Sequence, residues 1–168
     1  MFDLGFIGFG NIAQALVKGL SFSNYNICAH DVLKSKSKTI RALNVECLSS
    51  SVEVVEKSKI IILCIKPGHF SQVLDNISSY VTNKKIIISV GAGVSLGFIS
   101  KFLKDKKLVR IMPNLSSAFG NGFTAVAFNK FLLKKERSFI IKILDSFGKT
   151  MELKNESFFD KITALSGS

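Results

Sequence analysis

The chain has 168 residues, 47% of them hydrophobic, with three cysteines and a formal net charge of +11. That length and composition fit one globular domain with a proper core and exclude a disordered chain. The longest apolar runs, such as Ile60 to Ile65, are of strand length and too short to span a membrane. Met1-Phe2-Asp3 leads straight into an apolar stretch with no basic leader, so a cytoplasmic location is expected. Cys28, Cys47 and Cys64 lack metal or disulfide spacing and read as buried, reduced fillers, so no metal is expected. The positive charge is nearly all lysine and is scattered, with only three arginines. It reads as a solvated surface that attracts anionic small molecules, with no nucleic-acid or membrane partner.

Taken in order, Leu4 to Ile7 reads as a strand and Asn11 to Leu20 as a helix with Ile12, Leu16 and Leu20 on one face. Tyr25 to Ala29 is a strand, Lys34 to Leu43 a helix, and Val45 to Leu48 a short strand. Ser50 caps a helix over Val52 to Lys57, and Ile60 to Ile65 is a strand buried on both faces. Phe70, Val73, Leu74 and Ile77 mark a helix, Ile86 to Val90 a strand, and Leu96, Ile99, Phe102 and Leu103 another helix. Leu108 to Met112 and Phe123 to Phe128 are strands. Phe139, Ile140, Ile143, Leu144 and Phe147 stripe a long helix, Lys149 to Leu153 is a last strand, and a helix opens over Phe158 to Leu165. Strand and helix alternate about every 25 to 30 residues, the size of a βαβ unit. The fold class is α/β: a doubly wound, mostly parallel, Rossmann-type sheet, with the start of a C-terminal helix. Residues 1–154 form the dinucleotide-binding domain, and 155–168 begin a further helical part.

The first strand runs into Gly8-Phe9-Gly10-Asn11-Ile12-Ala13, a Gly-x-Gly-x-x-Ala turn that opens a helix at once. Gly8 allows the turn, Gly10 lets backbone approach a phosphate, and Ala13 keeps helix and strand close. The unpaired N–H groups of the first helical turn then face an anion, so NAD(H) or NADP(H) is the expected cofactor. Asp31 follows at the end of the second strand, where an acid accepts from a ribose 2′-hydroxyl and repels a 2′-phosphate. Lys34 and Lys36 follow at once and could hold that phosphate, so the choice between the cofactors stays open, with a slight lean to NADPH. The later strands end at Lys66-Pro67-Gly68, Gly91-Ala92-Gly93 and Met112-Pro113-Asn114. Ligands in such sheets sit beyond these carboxyl ends, so these residues are expected to line the cleft.

Gly5 to Ala13, Ile65-Lys66-Pro67, Ser89 to Ser95, Val109 to Asn114 and Thr163-Ala164-Leu165-Ser166-Gly167-Ser168 resemble, in order, the motifs of the pyrroline-5-carboxylate reductases. The resemblance implies reduction of 1-pyrroline-5-carboxylate to L-proline with NAD(P)H, the last step of proline biosynthesis. It implies that Gly8, Gly10, Asn11, Ile12 and Ala13 hold the pyrophosphate and that Lys66 and Pro67 wall the adenosine side. Gly91, Ala92 and Gly93 would lie against the nicotinamide, with Met112, Pro113 and Asn114 closing the site. Asn114, Ser166, Gly167 and Ser168 would meet substrate; no side chain is assigned as a certain catalytic acid. In the family a helical domain follows, which dimerises and completes the substrate site, so a homo-oligomer is implied for the full-length protein. Its motif continues Gly-Pro-Ala-Tyr, whereas this chain stops at Ser168, and Leu115-Ser116-Ser117 replaces the usual Thr-Pro-Ala. These differences leave two alternatives open: a non-catalytic NAD(P)-binding module, or an enzyme like the β-hydroxyacid dehydrogenases. Phe158, Phe159, Ile162 and Leu165 would then leave an apolar edge with no partner in the chain.

Overall fold

The computed structural model describes residues 1–21, 23–114 and 122–159. Eight strands form one sheet: β1 (Phe2–Ile7), β2 (Ile27–His30), β3 (Glu46–Cys47), β4 (Ser58–Leu63), β5 (Ile86–Ser89), β6 (Lys107–Pro113), β7 (Gly122–Phe128) and β8 (Gly148–Glu152). Among the described residues six complete α-helices cover it: α1 (Asn11–Gly19), α2 (Lys36–Ala42), α3 (Ser51–Lys57), α4 (Phe70–Ile77), α5 (Leu96–Phe102) and α6 (Lys134–Leu144). The spatial order is β3-β2-β1-β4-β5-β6-β7-β8. The chain thus winds one way from β1 and the other way from β4. The loops after these two strands flank the point where the winding reverses, which is where such sheets take ligands.

The apolar strands β1, β4 and β5 are buried on both faces, and one hydrophobic cluster lies on each side of the sheet. Leu4, Phe6, Ile60, Ile62, Ile86 and Ile88 pack under α1 and α6, whereas Ile61, Leu63 and Ile87 pack under α3, α4 and α5. Alternation along each strand sends neighbours to opposite faces, so both layers draw on the same short runs. Ser50 accepts from the Glu53 N–H at 3.1 Å and Ser95 from the Phe98 N–H at 3.0 Å, capping α3 and α5.

The sheet is mostly parallel as expected, with the direction of β7 left open by the sequence, and two further details differ from expectation. β7 runs antiparallel to β6, with Ile111 opposite Val126 and Met112 opposite Ala125. Phe159 is not left on an open edge: it is fully buried, with the Arg110 guanidinium 4.4 Å from its ring centroid, while Phe158 is exposed. Ile162 and Leu165 lie outside the described residues. Of the cysteines, Cys28 is buried but Cys47 and Cys64 are only half-buried; all three are free. Burial pushes the Cys28 thiol up to about 11, against the pull of the Ser58 hydroxyl.

Candidate functional site

Strand register aligns the ligand-facing loops. Ile7 pairs with His30 on one side and Leu63 on the other; Leu63 pairs with Ser89, and Ser89 with Arg110. The ladder continues one step past the strands: Gly8 N–H donates to His30 O at 2.8 Å, Cys64 N–H to Ile7 O at 2.8 Å, and Val90 N–H to Leu63 O at 3.1 Å. The turns after β1, β2, β4 and β5 therefore leave the sheet side by side. β6 runs on to Pro113, because β7 pairs with it that far, and rises as a wall at one end of the row.

The two glycines of the first turn do different work. Gly8 has φ +86°, and a Cβ there would stand 2.5 Å from Cys64 O. The turn and the loop after β4 are thus in contact, and only glycine fits. A Cβ at Gly10 would meet nothing within 4 Å. Gly10 is the N-cap of α1 and no side chain caps that helix. The nine-residue helix begins with no side-chain cap on its first turn, beside a glycine whose Cβ direction is open. This arrangement suits a pyrophosphate.

Asp31 lies beside this turn. Its Oδ2 accepts from the Phe9 N–H at 2.7 Å and its Oδ1 from the Leu33 N–H at 2.9 Å. The expected ribose acceptor is thus also the clamp that fixes the glycine turn, and its remaining lone pairs can still take hydroxyl donors. Lys34 and Lys66 are exposed, as are Pro67, Ala92 and Gly93. Gly91 is buried, and the space of its absent Cβ is filled by the Phe70 ring at 2.6 Å and Val94 at 3.0 Å. Its bareness serves packing against α4, while Gly93, at φ +72°, has nothing within 4 Å of a Cβ. Met112 and Pro113 are half-buried, and Asn114 is exposed with its N–H donating to Phe123 O at 2.9 Å. Ser166, Gly167 and Ser168 lie outside the described residues.

A cavity of about 110 Å³ opens at these strand ends, lined by Ile12, Val90, Gly91, Ala92, Ile111, Met112 and Pro113 together with Arg110. It brings the first turn of α1 to the loop after β5 and the end of β6. A larger one of about 230 Å³ lies at the opposite edge, between Tyr25, Ile60, Ile86, Phe139 and Ile143. Asp3 and Lys59 on its rim pair with each other, and Glu136 there pairs with Lys107. The smaller cavity fits the chemistry better, because Ile12 of the first turn of α1 lines it together with the loop after β5. Sequence reading missed Arg110, although a lone arginine inside an apolar strand signals a buried charge that needs a partner. Among the described residues, no group of three or more His, Cys, Asp or Glu could hold a metal, and no helix is long and apolar enough to cross a membrane.

This fold and turn define an NAD(P)-binding domain of the Rossmann type. Residues 3–93 match the family described as "NADP oxidoreductase coenzyme F420-dependent", and the chain belongs to it. Across its whole length it is similar to the pyrroline-5-carboxylate reductases. That of Aquifex aeolicus is 34% identical over 168 residues, covering 98% of this chain and 62% of the relative. The Coxiella burnetii pyrroline-5-carboxylate reductase structure superposes with a TM-score of 0.91 at 26% identity, covering 98% of this chain and 63% of that one. The Plasmodium falciparum pyrroline carboxylate reductase, solved with NADP bound, gives a TM-score of 0.87 at 27% identity, covering 99% and 62%. The chain therefore spans less than two thirds of the length of these relatives.

Proposed function

We propose that this chain carries the cofactor half of an NAD(P)H-dependent reductase that converts 1-pyrroline-5-carboxylate to L-proline in the cytoplasm. The observation that carries the reading is the uncapped first turn of α1 beside the open Gly10 position, set within a chain similar end to end to those reductases. Bound cofactor would supply a hydride to the C=N carbon of the imine, whose nitrogen takes up a proton. The chain's own residues position that event. N–H groups at Asn11, Ile12 and Ala13 receive the pyrophosphate, and Gly8 and Gly10 shape the turn around it. Asp31 orients the adenosine ribose, Lys34 sits close enough in sequence to meet a 2′-phosphate, and Lys66 and Pro67 wall the crevice. The loop of Gly91, Ala92 and Gly93 faces Met112, Pro113 and Asn114 across the nicotinamide side and excludes water from one face.

Substrate contacts are assigned to Asn114, Ser166, Gly167 and Ser168, and the boundary between the cofactor domain and the following helical part to the turn after Lys154. β8 ends at Glu152 and a helix begins at Phe158, which supports that boundary. The full-length protein is assigned as a homo-oligomer without nucleic-acid or membrane partners. Two assays test the reading. Quenching or enhancement of NADPH fluorescence measures cofactor binding, and loss of absorbance on adding pyrroline-5-carboxylate measures turnover. Binding with imine-dependent oxidation is the expected result for the full-length protein. Binding without any imine-dependent oxidation in that protein would favour a nucleotide-binding module, and absence of binding would overturn the proposal.

A further inference from the structure

Glu156 lies in the turn that follows β8, yet one of its oxygens ties together both walls of the crevice. Its Oε1 accepts from the Leu96 N–H at 2.7 Å and from Arg110 Nη1 at 2.8 Å. Leu96 is the first residue of α5, three positions after Gly93, and Arg110 stands two positions before Met112. The guanidinium also stacks on Phe159, 4.4 Å from the ring centroid. The Arg110 side chain is 7% exposed and that of Glu156 26%. A buried guanidinium between Val109 and Ile111 is stable only with a fixed counter-charge, so the pair holds one arrangement.

We infer that Glu156 and Arg110 are positioning residues that set the spacing between the Gly91–Gly93 loop and the end of β6, and thereby the affinity for the nicotinamide half of the cofactor. The inference rests on the dinucleotide reading above. Neither side chain needs to touch the reacting atoms. Supporting contacts of this kind decide whether a binding wall is held in place or is left to wander. The adenosine half sits at the other end of the row, on the turns after β1 and β2. Among the described residues, the Asp31 contacts to Phe9 and Leu33 share no hydrogen bond with this pair, so the two halves of the ligand should respond differently. The same carboxylate belongs to the segment entering the helix at Phe158, so displacement of that helix would be felt at the nicotinamide wall.

The test compares two ligands on the full chain by calorimetric titration: NADPH, and ADP-ribose 2′-phosphate, which lacks the nicotinamide. Glu156→Gln keeps an acceptor for the Leu96 N–H and removes the charge. Arg110→Lys keeps the charge and removes the fork and the stacking. Each variant should weaken NADPH binding about tenfold, equivalent to one hydrogen-bonded charge. Each should change ADP-ribose 2′-phosphate binding by less than about twofold. A purely structural role would lower both affinities together with the melting temperature, and that result, or unchanged affinity for both ligands, would overturn the inference. If one variant fails to fold, the split in the other decides. If the wild-type chain binds neither ligand, the dinucleotide reading fails and takes this inference with it.

Discussion

At the amino ends of the strands the charged groups answer one another, whereas at the carboxyl ends the first turn of α1 is left without a side-chain cap. Asp3 takes Lys59 at 2.8 Å and the Asn26 N–H at 3.1 Å, and Lys85 donates to the carbonyls of Glu56 and Ser58. Each of these contacts closes a strand start or a helix end. Across the sheet α1 has no side-chain cap, Gly10 borders empty space, and Ala92 and Gly93 are exposed. A closed edge satisfies its own groups, while an open one has its donors available for a ligand. The larger cavity is on the closed side, away from the uncapped start of α1.

The contrast is sharpest within the glycine turn. Gly10→Val should cost about a hundredfold or more in NADPH affinity, because a branched side chain would occupy the phosphate position. Its melting temperature should stay near that of the wild type, since nothing lies within 4 Å of the new Cβ. Calorimetric titration beside thermal unfolding checks both halves of that statement. Gly8→Ala should do the reverse, lowering stability by about 2–4 kcal/mol, because positive φ and a clash with backbone add together. Urea unfolding measures it, and an unaffected midpoint would mean that the turn can relax away from Cys64.

Smaller effects are expected at Asp31. Asp31→Asn removes a charge but keeps an acceptor oxygen for the Phe9 or Leu33 N–H. The ratio of NADPH to NADH affinity should rise several-fold, as removal of one repulsion of about 1 kcal/mol implies. An unchanged ratio would confine Asp31 to its clamp on the glycine turn. At the closed edge the effect should be smallest. The Lys59 ammonium, followed by the Asn26 N–H, holds the Asp3 carboxyl below its usual 3.8. A depressed carboxyl stabilises the fold fully above that ordinary value, and the contribution is lost as pH falls below it. Asp3→Asn should therefore cost about 0.5 kcal/mol at neutral pH, nothing at strongly acidic pH, and leave cofactor affinity unchanged. Denaturant melts at the two pH values, with a titration at the higher one, check it.

Most of the open edge was legible in the sequence. Apolar runs without alternation gave the parallel strands, and Gly8, Gly10 and Ala13 at their spacing gave the turn. The direction of β7 was not read from its residues, which say only that a strand forms. The connection 114–121 is too short for the crossover of about a dozen residues or more that a parallel pair needs. For Asp31 the sequence offers a candidate ribose acceptor but not the clamp on Phe9, a contact that exists only once the turns after β1 and β2 meet. Arg110 and Glu156 are 46 positions apart, and no local pattern links them. Phe159 was misread for the same reason: the Arg110 side chain it meets is remote from it in the sequence.

The proposed dinucleotide site is the carboxyl-end row, with the uncapped α1 at its middle. Backbone amide shifts recorded during titration of the chain with NADPH test it directly. Movement is expected at Gly8 to Ala13, Asp31, Lys66, Ala92, Gly93 and Met112, with Asp3, Tyr25, Lys59 and Lys84 unmoved. Shifts concentrated on that second group, around the larger cavity, would contradict it.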